Sequence, residues 1–172
     1  MKIAGLSILV LFFLFASCRN MNDKHESVNS PQAETLIKIN RYLVKEDAER
    51  IMKVGERKGW KLTKHNSGLF YQILEHGNGT KPGEGDKVTY SYKTELLNGD
   101  YCFSSDSNGY RSFRIDKSKI EPGWNELSKE LVTGDSVLMI LPPYLGYGLA
   151  GDGGAIPPRS ILVYHMRLIR VE

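Results

Sequence analysis

The sequence predicts an α+β fold: a curved antiparallel sheet wrapped on one short helix, preceded by an N-terminal helical arm. Three observations carry that prediction. Residues 87–97 alternate strictly, with Val88, Tyr90, Tyr92, Thr94 and Leu96 on one face; Asn98-Gly99 then supplies a hairpin turn, since both residues tolerate positive φ. Trp124, Leu127 and Leu131 recur at i, i+3 and i+7, the apolar stripe of a single amphipathic helix. Residues 32–58 lack Pro and are rich in Glu, Lys, Arg, Leu and Ile, all compatible with a helix interior. One helix among several antiparallel strands buries its stripe best against the sheet itself.

The 172 residues are 41% hydrophobic and 25% charged, which suits one compact globular domain with appendages. Net charge is +3, but the basic residues are scattered among acids. Without a Lys/Arg stripe interleaved with aromatics, nucleic-acid binding is not expected.

At the N-terminus, Lys2 is a short positive region and residues 8–15 form an apolar run. That run has the length of a signal-peptide core and is too short for a permanent membrane span. Ala16-Ser17-Cys18 follows, resembling a bacterial lipobox with Phe15 where Leu is usual. The resemblance implies cleavage before Cys18 and a diacylglycerol on its thiol; a plain secretory signal is the alternative. Each buried CH₂ of an acyl chain contributes about 0.8 kcal/mol, so more than one chain makes anchoring stable. The expected organisation is a signal peptide at 1–17, a tether at 18–31, a helical arm at 32–62 and a globular domain at 63–172. The expected location is the cell envelope, lipid-anchored to a membrane and facing the periplasm. With Cys18 acylated, Cys102 has no intramolecular partner, so the core and not a disulfide must stabilise the fold.

Residues 19–31 are rich in Asn, Ser, Asp and Lys and read as a solvated tether. In the arm, Ala48, Ile51, Met52 and Gly55 line one narrow face, while Ile37, Ile39, Leu43 and Val44 are less regular. A break near 44–46 is therefore expected, with Gly59 ending the helix. Such an arm could pack on its own domain, form a homodimer with a second copy, or dock a partner.

From residue 69 the punctuation changes to strands and turns. Residues 69–74 form a short strand-like run followed by a Gly-rich stretch at 77–85. Further strands are expected at 111–115, 136–141 and 161–171, the last with Leu162, Tyr164, Met166 and Leu168 on one face. Pro122-Gly123 opens the short helix and Gly134 ends it.

Ser67-Gly68-Leu69-Phe70-Tyr71, Gly77-Asn78-Gly79, Gly85-Asp86-Lys87-Val88, Pro122-Gly123-Trp124 and Gly134-Asp135 occur in this order. Tyr147-Gly148, Ala155-Ile156-Pro157-Pro158 and Leu162-Val163-Tyr164 complete the series. Together they resemble the FKBP-type peptidyl-prolyl isomerase domain over roughly residues 63–172. The lipobox, the arm, Tyr90-Ser91-Tyr92-Lys93 and Phe103-Ser104-Ser105 look most like the gliding-motility-associated lipoprotein branch.

An X-Pro amide rotates slowly because resonance must be lost. A rotamase needs no nucleophile, metal or other cofactor, and none is expected; the four His show no ligand spacing. It needs a dry aromatic cup that favours the twisted, less polar amide over the planar one. By resemblance Trp124 is the floor, with Tyr90, Phe103, Phe113, Ile120, Ile156 and Tyr164 as walls. The same resemblance implies that Tyr147 offers its hydroxyl to a substrate carbonyl and Glu121 its backbone N–H. The catalytic set is then Tyr90, Trp124, Tyr147 and Tyr164.

Three departures from the family pattern stand out. Tyr101-Cys102-Phe103-Ser104 occupies the place of the usual Phe-Asp: one register leaves Ser104 at the acid, the other puts Cys102 and Phe103 there, and both lose the carboxylate. Glu121 replaces an apolar residue at the rim. The loop at 149–154 is Gly-rich, with Asp152 where a bulkier residue is common. Cys102 reads as a packed strand thiol. Two main functions follow: an isomerase acting on proline-containing polypeptides, or a binding module that grips proline segments without turnover. A third makes the arm the functional part.

Overall fold

The computed structural model describes residues 31–172; the apolar run at 8–15, Cys18 and most of the tether lie outside the described residues. The chain divides into two compact units, Met1–Ile39 and Asn40–Glu172. In the first, the described residues open helix α1 (Pro31–Lys58) and leave Leu36, Ile37 and Ile39 exposed.

In the second unit α1 passes residues 44–46 without the expected break. The apolar pattern looked irregular because the inward line contains a charge. Asp47, Ile51 and Gly55 are its buried residues, at four-residue spacing. Arg159 grips both oxygens of Asp47, at 3.0 and 2.8 Å, so the carboxylate can take an inward position. Gly59 adopts φ 70 and Trp60 N–H donates to the Gly55 carbonyl (2.9 Å), which ends the helix as anticipated.

Among the described residues the sheet has seven strands: β1 (Thr63–Lys64), β2 (Phe70–Glu75), β3 (Lys87–Leu96), β4 (Tyr101–Ser104), β5 (Arg111–Arg114), β6 (Ser136–Leu141) and β7 (Leu162–Val171). Their order is β1-β2-β6-β7-β3-β4, with β5 also pairing β3, and every pairing is antiparallel. Two short helices, α2 (Ser105–Asn108) and α3 (Pro122–Ser128), and a 3₁₀ turn (Pro143–Leu145) lie between strands. Helix α3 is shorter than the stripe implied. Glu130 and Leu131 N–H groups donate to Leu127 and Ser128, i→i−3 bonds that tighten the chain into a turn while Leu131 stays buried.

Strand alternation sends side chains to two apolar clusters. Met139 and Leu141 of β6 and their β7 partners Tyr164 and Leu162 face α3, joining Trp124, Leu127 and Leu131. Leu138, Ile140 and Val163 point the other way and meet Ile51 of α1, with Phe70 and Ile161. At the far end of α3 the buried Asp135 accepts N–H bonds from Gly77 (2.7 Å) and Val132 (2.8 Å). Gly77 is required there, since a Cβ would lie 2.3 Å from the Thr133 carbonyl.

Candidate active site

Pro122 starts α3 with its φ already helical. At Gly123 a Cβ would lie 2.3 Å from a Leu141 methyl, so glycine lets the helix descend onto β6. That approach lowers Trp124 into the concave side of the sheet, where it is 0% exposed. Four rings meet it edge-on: Tyr164 at 5.1 Å, Tyr90 at 5.3 Å, and Tyr92 and Phe113 at 6.1 Å between centroids. Edge-to-face rings put positive edges against a negative face, adding about 0.5–1.5 kcal/mol per pair beyond area burial.

The expected residues take different depths. Tyr90 lies fully buried, stacked against Phe113 at 6.0 Å. Its hydroxyl donates to Ser128 Oγ (2.8 Å), which donates to the Trp124 carbonyl (2.7 Å). Tyr90 is thus as deeply buried as Trp124 and Tyr164, and it is tied through Ser128 to the Trp124 backbone. Tyr92, two residues on and half-buried, takes the position of an outer wall, with Phe103 at 6.3 Å. Tyr164 and Ile156 are buried at the floor, Phe113 is buried beside Tyr90, and Ile120 and Tyr147 pack half-buried against the same cluster.

Strand β4 separates the two registers. Phe103 pairs with Thr94 and faces Tyr92, on the cup side. Ser104 pairs with Lys93 and points the other way, its hydroxyl near Tyr101 (3.3 Å) and Ser107 (3.5 Å). Cys102 sits in the register shift between Tyr101 and Phe103 and lies 3.8 Å from the Ala155 carbonyl. Burial first, then the Asp152 carboxylate, push its thiol up, away from the reactive thiolate.

The Gly-rich loop is held by Asp152. Its Oδ1 accepts from the N–H groups of Gly154 and Ile156, both at 2.8 Å, and Asp152 N–H donates to the Ile156 carbonyl (3.1 Å). Gly151 is needed at φ 73, where a Cβ would lie 2.2 Å from that carbonyl. The loop thus folds on itself and carries Ile156 to the floor.

Polar atoms at the floor are unusual. Trp124 Nε1, the Tyr164 hydroxyl and Thr94 Oγ1 are buried without hydrogen-bond partners. The indole N–H is close enough to Tyr164 to favour its phenolate slightly, but the geometry is not that of a hydrogen bond. Burial dominates and drives the Tyr164 phenol far above its ordinary range. Each unmatched buried group costs about 1–3 kcal/mol, which a ligand's amide could recover.

Over the floor lies a charged pair: Glu121, already noted at the rim, meets Arg111, which no sequence pattern singled out. The Arg111 guanidinium stands 4.8 Å from the Trp124 ring and is ion-paired through Nη2 with Glu121. Tyr147 adjoins both. Burial, then the Glu121 carboxylate, push its phenol up to about 12 against the opposing Arg111 charge, so it stays a neutral donor. Among the described residues no group of three His, Cys, Asp or Glu could hold a metal.

A profile of FKBP-type peptidyl-prolyl cis-trans isomerases matches residues 78–169. The chain belongs to that family. It is 38% identical over 121 residues to the FKBP-type isomerase FkpA of Escherichia coli K12, covering 70% of this chain and 43% of FkpA. It is 35% identical over 107 residues to the outer membrane protein MIP of Legionella longbeachae, covering 62% of this chain and 45% of MIP. The chain thus spans less than half the length of these curated relatives. The crystal structure of Escherichia coli FkpA superposes with a TM-score of 0.61 at 29% identity, covering 100% of this chain and 84% of that one. Its FKBP-type fold explains why the cup is found between α3 and the concave sheet face. Within that fold Tyr92 and Arg111 are the residues that sequence reading passed over. Tyr92 shares its alternating face with Tyr90, and periodicity alone cannot say which of two same-face tyrosines lies nearer solvent. Only the packing depth separates them.

Proposed function

We propose that the chain is a peptidyl-prolyl cis-trans isomerase assisting the folding of proline-containing proteins in the cell envelope. The observation that carries this reading is the ring of aromatics around Trp124, closed by Ile156 and Tyr164. A prolyl ring entering it would leave water for an apolar surface. The planar amide, with its larger charge separation, loses more solvation there than the twisted one, so the barrier falls by differential binding. Tyr147, kept neutral, would donate to a substrate carbonyl, and the backbone N–H of Glu121 would serve as a second donor. Tyr92, Phe103, Ile120 and Ile156 would shape the wall, with Tyr90 and Phe113 supporting Trp124 from below. No atom is transferred in this reaction, so no nucleophile is needed.

The test is the rate of cis-to-trans conversion of an X-Pro peptide with the purified protein. An increase over buffer that vanishes in Trp124→Ala is expected; a rate equal to buffer alone overturns the isomerase reading. One observation favours the second reading, a binding module: the floor is covered by Arg111 and the family's pocket carboxylate is missing. Peptide binding without rate enhancement would establish it.

We extend the proposal to location: Cys18 carries the lipid, residues 18–31 are the tether, and the protein faces the periplasm. The name of the relative MIP, an outer membrane protein, is consistent with an envelope address. The gliding-motility-associated branch and pairing of two copies through the arm belong to the same proposal. Cys18→Ser should release the protein from membranes, and continued membrane association would overturn the anchor. Light scattering with and without residues 32–60 reads the pairing.

A further inference from the structure

The Arg111–Glu121 pair lies where an entering prolyl ring would sit. Trp124 is 0% exposed, and the Arg111 guanidinium lies over the ring that the surrounding aromatics leave uncovered on that side, so a ligand reaching it must lift Arg111 away. The two partners are unequal once this happens. The Glu121 side chain is 10% exposed and the Arg111 side chain 23%, so the cation is the more accessible partner. Glu121 already has Arg111 on one oxygen, and Tyr147 lies beside both side chains. Arg111 carries five N–H donors in a planar fork, and the pair uses one of its nitrogens, Nη2. A displaced guanidinium can therefore keep Glu121 on one edge and take a second carboxylate on the other. A ligand ammonium would have to compete with Arg111 for an already occupied carboxylate.

We propose that Arg111 is a specificity-determining residue that closes the cup against neutral and basic segments and opens it for proline segments flanked by an acidic residue. The selectivity arises on opening. Every ligand forfeits the guanidinium–indole contact, but only an acidic one replaces it with a charge-assisted hydrogen bond. Part of the recognition lost with the family's pocket acid is then reversed in sign, the cation residing on the protein and the carboxylate on the ligand.

This inference rests on the proline-binding cup of the proposed function, and its test separates the two. Peptides differing only in the residue before proline, Glu, Ala or Lys, are compared for kcat/KM and, by calorimetry, for Kd. Wild-type protein should favour Glu over Lys by about tenfold, the worth of one good charge-assisted contact. In Arg111→Leu the Glu-to-Lys ratio should fall to within about twofold, while the Ala peptide binds more tightly because the floor is open. Arg111→Lys, which keeps the charge but not the fork, should retain part of the preference. Glu121→Gln should enlarge it, since the guanidinium is freed. A ratio near one in wild-type protein, or an unchanged ratio in Arg111→Leu, overturns the proposal. If no peptide is isomerised but Kd keeps the charge order, the isomerase reading fails and this one stands; if Kd is blind to charge, this one fails.

Discussion

The two faces of the sheet bury side chains of different chemistry, and the cluster against α3 is the larger. The buried side chains of the face under α1 are aliphatic but for Phe70, with Trp60 packed half-buried at its margin: Ile51, Leu138, Ile140, Ile161 and Val163 meet without a polar atom among their side chains. The face over α3 is crowded with rings, three unpartnered polar atoms and a charged pair. A fold optimised only for stability would favour the first kind of packing, because unmatched buried groups cost free energy and aliphatic contacts do not. The second kind persists where a surface must hold another molecule, so departures from good packing mark the site more clearly than any single residue.

The largest effects should come from cutting the principal side chain of each face. Trp124→Ala removes the floor and should cost about 3–5 kcal/mol of stability, with peptide isomerisation abolished even in the folded fraction. Ile51→Ala should cost about 2–5 kcal/mol by the same cavity argument. Its folded fraction should keep wild-type kcat/KM, because Ile51 touches no part of the cup. Denaturant melts paired with the peptide assay read both. Equal loss of activity in the two folded variants would erase the functional distinction between the faces.

Asp47→Ala probes a buried charge near the aliphatic face. Asp47 is buried beneath Arg159, whose side chain reaches solvent at 32% exposure. A buried charge stripped of its partner is costly, but Arg159 can turn outward, so we expect a loss of about 2 kcal/mol. Arg159 N–H also donates to the Gly148 carbonyl, next to Tyr147, and activity should fall slightly with stability. No change in the melt would mean the pair is only a surface contact.

The tyrosine pair on β3 sharpens the comparison at finer scale. Tyr92→Ala should lower kcat/KM about tenfold or more, the loss of one wall contact in the transition state. Tyr90→Phe keeps the ring beside Trp124 and leaves Ser128 bonded to the Trp124 carbonyl, so about 1 kcal/mol of stability is lost and activity is kept. The opposite ranking would return Tyr90 to the cup.

Much of this was legible in the sequence. The alternation of β3, the hairpin turn at Asn98-Gly99 (where Gly99 alone takes the positive φ) and the Pro122-Gly123-Trp124 start translate into backbone geometry, and the structure has each of them. Continuity of α1 through residues 44–46 was not legible, because a buried Asp47 reads as a polar interruption until Arg159, 112 residues away in sequence, supplies its partner. Arg111 was missed for the same reason. A lone arginine at the start of a strand has the pattern of a solvated residue, and only the fold brings Trp124 and Glu121 to it. Local rules find elements; pairings between distant charges decide which polar residues face inward.

The smallest effect expected is a pH liability confined to the ring-rich face. Burial raises the phenols of Tyr90, Tyr147 and Tyr164 above their ordinary value of 10.0, Tyr147 to about 12. Above pH 10 the unfolded chain releases these protons while the native state holds them. Native protein then binds more protons than unfolded, and stability must fall as pH rises. Below pH 10 both states are protonated and no penalty exists. The Tm should therefore be level between pH 7 and 9 with respect to these groups and decline from about pH 10 upward. Tyr164→Phe, which keeps the ring and removes an unpartnered hydroxyl, should melt higher and lose less on going alkaline. The aliphatic cluster holds no tyrosine, so Ile51→Ala should lower the whole curve without changing its alkaline slope. An alkaline slope unchanged by Tyr164→Phe would show that burial is not what holds that phenol neutral.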